Sequence, residues 1–96
     1  MQGKIVIYAP FNVDAERLSN VKGLVEKEAI ELGLEVKGPF LRNDNRICVF
    51  YEDDKSKCYV YIDDYEKPLN LEKMALTIKL MATITMMETG KIKVVV

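Results

Sequence analysis

The side chains best suited to chemistry are the carboxylates between positions 52 and 66. Glu52, Asp53, Asp54, Asp63, Asp64 and Glu66 stand there against Lys55 and Lys57, a local balance of −4. Oxygen ligands at that density suit Mg²⁺ or Ca²⁺, and water activated on such an ion is the basis of phosphodiester hydrolysis. Spacing divides the set. Asp53-Asp54 and Asp63-Asp64 are separated by about eight residues of extended chain, roughly 25 Å, so they do not share one ion.

A narrower grouping is compatible with strand geometry. If the strand ending at Asp63-Asp64 runs parallel beside the opening strand of the chain, Asp63 or Asp64 approaches Asp14 and Glu66. Those four residues form the candidate metal site, and a metal-dependent phosphodiesterase or nuclease is its catalytic version. Successive strand residues point to opposite faces, so Asp63 and Asp64 do not both turn inward. The competing reading is solvated carboxylates, some paired with Arg42, Arg46 or helix N-termini.

Most other catalytic chemistry is excluded. The chain has no histidine, which removes Ser-His and Cys-His mechanisms and every His-containing zinc site. Gly3, Gly23, Gly33, Gly38 and Gly90 are isolated, and no phosphate-cradling motif runs through them. Cys48 and Cys58 lack metal or redox spacing and read as reduced packing residues. No cofactor is expected, and a non-enzymatic role is favoured, with the metal-dependent enzyme kept as an alternative.

The elements that must carry these residues follow from pattern. Residues 4–9 are β-branched and aromatic and read as a strand. A helix follows, capped by Asn12 or Asp14, with Leu18, Val21, Val25, Ala29 and Leu32 on one face and Gly33 at its end. Gly23 in mid-helix implies close backbone packing or a bend. Residues 35–41, interrupted by Gly38-Pro39, suit an edge strand. Residues 46–52 and 58–64 flank a polar turn and form a hairpin. Pro68 and Asn70 introduce a second helix from Leu71 to about Thr89, stopped by Gly90, and residues 91–96 read as a last strand.

The order β-α-(β)-β-β-α-β predicts one α+β domain over residues 1–96. The expected fold is a ferredoxin-like two-layer sandwich, with two helices on one face of a mainly antiparallel four- or five-stranded sheet. Within that fold the other sheet face is open. Tyr59 and Tyr61 alternate with Val60 and Ile62, so with the aliphatic pair toward the helices both tyrosines face outward. Tyr8 joins them from the first strand. Phe50 and Cys48 do so if Asp54-Lys55 are the central turn residues, and Ile47, Val49 and Tyr51 replace them if the loop is one residue longer. The second helix is apolar over most of its circumference, Met74, Met81, Met86 and Met87 included, which exceeds what one sheet covers.

The segment Gly33-Leu34-Glu35-Val36-Lys37-Gly38-Pro39-Phe40, following a helix, resembles the helix-to-strand passage of the tenth small-subunit ribosomal protein, whose fold is also ferredoxin-like. The likeness covers eight residues. Leu41-Arg42-Asn43 stand where that family has further prolines, and no functional residue carries over.

Net charge is −1. Residues 1–48 hold seven basic and seven acidic side chains, and residues 49–96 hold seven and eight. Nucleic-acid binders usually carry a cationic excess, so nucleic acid is not the favoured partner. No stretch reaches the roughly 20 apolar residues of a membrane helix, and the start lacks a signal peptide, so a cytoplasmic location without membrane contact is expected. The expected role is a small intracellular interaction or regulatory module, self-associating as a homodimer or binding a protein partner. Its interaction face comprises Tyr8, Phe50, Tyr59, Tyr61, Met81 and Met87. The alternatives are the metal-dependent enzyme and a single-stranded RNA-binding module using the open sheet face.

Overall fold

The structure, a computed structural model, describes residues 3–63, 68 and 70–88. Its elements are β1 (Lys4–Pro10), α1 (Ala15–Leu32), β2 (Glu35–Arg42), β3 (Cys48–Glu52), β4 (Lys57–Ile62) and α2 (Leu71–Glu88). Local chemistry accounts for their ends. Asp14 caps α1, its side chain accepting the Arg17 N–H at 3.2 Å. Gly33 ends the helix at φ 70, where its own N–H and that of Leu34 return to the carbonyls of Ile30 and Ala29. At the start of α2, Asn70 accepts the Lys73 N–H at 3.1 Å.

The hairpin between β3 and β4 is set by Asp53. Its N–H donates to the Ser56 carbonyl at 2.9 Å, and its carboxylate accepts the N–H groups of Lys55 and Ser56 at 2.8 Å each. Asp54-Lys55 are therefore the central turn residues, and Phe50 pairs with Tyr59.

The four strands form a mixed sheet in the order β2-β1-β3-β4, with β1 parallel to β2 and antiparallel to β3, and β3 antiparallel to β4. The architecture is α+β and consistent with a two-layer sandwich, but the strand order corrects the ferredoxin-like expectation. There the strand after the first helix would lie one place removed from β1, with the strand of residues 58–64 between them. Here α1 returns the chain directly to the neighbour of β1, and β4 lies at the far edge beside β3. Residues 89–96, with the expected Gly90 stop and last strand, lie outside the described residues.

One core joins the layers. Ile5, Ile7 and Ala9 of β1, Val49 and Tyr51 of β3 and Val60 of β4 meet Val21, Val25 and Ala29 of α1 and Met74, Ile78, Ala82 and Met86 of α2. Burial of this apolar surface is the main drive to fold. Lys79 and Glu31 bridge the two helices at 3.2 Å, while Cys58 Sγ and Thr85 Oγ1 meet at 2.9 Å between β4 and α2. Both cysteines are free.

Two glycines differ from each other. Gly38, at φ 97, lies where a Cβ would come within 2.5 Å of the Ile7 carbonyl, so the close pairing of β2 and β1 requires it. Gly23 is exposed and a Cβ there would meet nothing within 4 Å, which corrects the expectation of close backbone packing around it. Among the described residues no helix is long and apolar enough to cross a membrane.

Candidate interaction surfaces

On the face away from the helices, each strand contributes one aromatic ring to a continuous ladder. Phe40 of β2 lies 6.0 Å from Tyr8 of β1, Tyr8 lies 5.6 Å from Phe50 of β3 in an edge-on contact, and Phe50 lies 4.2 Å from Tyr59 of β4. Cross-strand register produces this row, since Tyr8 pairs with Phe40 and Phe50 pairs with Tyr59. The outer rings, Phe40 and Tyr59, are each 49% exposed, whereas Phe50 is only 6% exposed.

Cations cover the middle of the ladder. The Arg42 guanidinium lies 3.9 Å from the Tyr8 ring centre, and the Lys57 ammonium lies 4.9 Å from that of Phe50 and 5.7 Å from that of Tyr8. Both are within cation–π range. Arg42 also donates a short hydrogen bond to Asp44, and this carboxylate raises the already high guanidinium pKa. Burial pushes the nearby Cys48 thiol up from its ordinary value. Phe40, Arg42 and Lys57 join this face beyond the residues expected from pattern; the alternation of Lys57 with Tyr59 is the signal in the sequence for one of them.

Tyr61 does not belong to the open face, a correction to the outward placement of both tyrosines. Val49 pairs with Tyr61 while Phe50 pairs with Tyr59, which leaves Val60 as an extra residue in β4. That bulge breaks the alternation, so Val60 and Tyr61 both turn to the helix side. Val60 is buried, Tyr61 packs against the core, and its hydroxyl donates to Asp63 Oδ1 at 3.0 Å.

Of the candidate metal ligands, Asp14 and Asp63 are both engaged by Arg17. Its main-chain N–H donates to Asp14, and its side chain grips Asp63 through Nε at 2.5 Å and an Nη at 2.8 Å. Asp63 is fully buried. The carboxyl-terminal end of β4 does reach the start of α1, and a guanidinium rather than a second carboxylate meets it there. Asp64 and Glu66 lie outside the described residues, and no group of three or more potential metal ligands occurs among the described ones. Of the turn carboxylates, Asp53 serves the hairpin and also accepts the Tyr51 hydroxyl at 2.7 Å. A cleft of about 980 Å³ opens beside the Arg17–Asp63 pair, lined further by Asn70, Leu71, Met74 and Thr77. Of its charged groups, Arg17 and Asp63 answer one another.

Helix α2 is apolar on two opposite sides. Met74, Ile78, Ala82, Thr85 and Met86 face the core. About half a turn away, Leu76, Leu80, Ile84 and Met87 recur at helical spacing, between 40% and 58% exposed, with Met81 and Leu71 exposed at the margins. The methionines thus divide: Met74 and Met86 fill the core, and Met81 and Met87 reach the surface. No family model, curated protein or solved structure matches this chain, so its function is argued from these surfaces alone.

Proposed function

We propose that this chain is a non-catalytic interaction module that works as a homodimer joined through the outer stripe of α2. The observation that supports it is the straight row of Leu76, Leu80, Ile84 and Met87 on the side of α2 away from its core contacts. An exposed row of large apolar side chains on a helix is a surface for association. A second copy is the fitting occupant on charge grounds. Glu72 and Lys73 share the first turn, Lys73 on the side of the outer row, and Glu88 stands in the last, so two antiparallel copies of α2 bring Lys73 toward Glu88 at both ends, with helix dipoles opposed. The net charge of −1 leaves little repulsion between copies.

The strength follows from burial. Four side chains per copy, each with about half its surface still to bury, contribute about 1 kcal/mol apiece, or about 8 kcal/mol for two copies. Association costs at least about 4 kcal/mol, so these contacts leave at most about 4 kcal/mol, a weak dimer that populates from high micromolar concentration upward. Light scattering across a concentration range tests the reading, with a rise toward twice the monomer mass as the expected result. A strict monomer at high micromolar concentration would overturn it.

A further inference from the structure

We infer that the open sheet face binds single-stranded nucleic acid, with bases stacking on Phe40 and Tyr59 and the phosphate backbone held by Lys57 and Lys4. The ring ladder and its cations support this independently of the α2 stripe. Flat π-surfaces are what unpaired bases seek, and the two outermost rings of the row offer theirs to solvent, each 49% exposed. Between them the Arg42 guanidinium lies over the Tyr8 ring, 3.9 Å from its centre, a planar cation in the same row. Ring spacings of 4.2 to 6.0 Å carry the surface across all four strands without a break.

Two cations of the face without an ion-pair partner among the described residues favour this occupant. Arg42 is answered by Asp44 and Lys37 by Glu35, but among the described residues no carboxylate stands within ion-pair distance of Lys57 or Lys4. Lys4 pairs across strands with Glu35 and Glu52, and Lys57 with Glu52, so two glutamates and two lysines alternate along this end of the face, neither lysine closing an ion pair with a described residue. Neither lysine gives up an ion pair with a described residue on meeting a phosphate. A polyanion meets them favourably. Val6 and Phe50 are already covered, so the apolar surface this face leaves open is that of Phe40, Tyr59 and Ile62. The near-neutral total charge is no obstacle to binding of modest affinity, since the turn carboxylates Asp53 and Asp54 lie at the end of the hairpin beyond the rings.

Fluorescence anisotropy with a labelled mixed-sequence RNA 12-mer, single-stranded and then annealed to its complement, provides the test. Binding of the single strand is expected, weakened about five- to 150-fold by Tyr59→Ala and by Phe40→Ala, with Tyr59→Phe retaining it. Lys57→Gln should reduce the slope of log K against log salt by about 0.7, the share of one phosphate contact. Leu80→Lys, on the opposite layer, should leave binding unchanged, which separates this surface from the proposed dimer. Both alanine variants change half-exposed side chains, and circular dichroism confirms their folding. Absence of binding at high micromolar protein and low salt overturns the inference. So does binding indifferent to both alanine variants, equal affinity for the duplex, or a loss of self-association in Tyr59→Ala with RNA binding intact.

Discussion

Replacing Arg17 with Met isolates the role of the acidic end of β4. The substitution keeps most of the packing of a side chain that is only 16% exposed, and it removes the guanidinium whose Nε and Nη bonds, at 2.5 and 2.8 Å, hold a carboxylate with no exposed surface. Asp63 keeps the Tyr61 hydroxyl at 3.0 Å, one neutral donor in place of a charged fork. Breaking a buried pair by removing one partner costs about 3–5 kcal/mol, because the remaining charge stays out of water uncompensated. Against a total of roughly 5–15 kcal/mol for a domain, that is a large fraction. Urea unfolding followed by far-ultraviolet circular dichroism should show the midpoint fall with little change in slope. The double variant Arg17→Met/Asp63→Leu should recover most of the loss, since both charges are then gone. A single variant within about 0.5 kcal/mol of the parent, the usual effect of a surface change, would refute the reasoning. A double variant as unstable as the two singles summed would refute it as well.

Three further outcomes follow from particular residues. Gly23→Ala fills open space on the exposed side of α1 and should stabilise the protein by about 1 kcal/mol in the same unfolding assay. Glu28 is buried with its Oε2 unpartnered among the described residues, so Glu28→Met should raise the thermal midpoint, by about 1 kcal/mol of stability. The Cys48 thiol titrates above its ordinary value of 9.0 because burial disfavours the thiolate. Its contribution is fully present below pH 9.0; above that the unfolded chain loses the proton first, so stability falls. Urea midpoints measured on either side of that pH should drop more in the parent than in Cys48→Ala.

Much of the fold was legible because it is written in short-range chemistry. Asp14 and Gly33 bracket α1 through contacts within four residues, and Asp53 sets the hairpin register through its own turn, which put Phe50 beside Tyr59 as one of two registers foresaw. Alternation failed at one residue. The Val60 bulge turned Tyr61 beneath the helices, and nothing in a run of alternating aliphatic and aromatic residues marks where a ladder will slip. Strand order was illegible for a related reason: periodicity says which face a side chain takes, not which strand lies beside it. The Arg17–Asp63 pair joins residues 46 positions apart, and the stacking of Arg42 on Tyr8 depends on β2 and β1 being neighbours. Both arise only when the sheet is assembled. Apolar excess on α2 was visible as composition, and the structure sorted it into a core side and an outer row.

Sedimentation equilibrium on the parent and on Leu80→Lys tests the central claim most directly, because Leu80 is in the middle of the outer row and half exposed, outside the core. Loss of its burial in both copies removes about 2 kcal/mol, roughly a 30-fold loss of affinity, before the cost of two facing lysines is added. The expected result is reversible dimerisation of the parent at high micromolar concentration and a monomeric, fully folded variant. A parent that stays monomeric throughout, or a variant that associates as well as the parent, would contradict it.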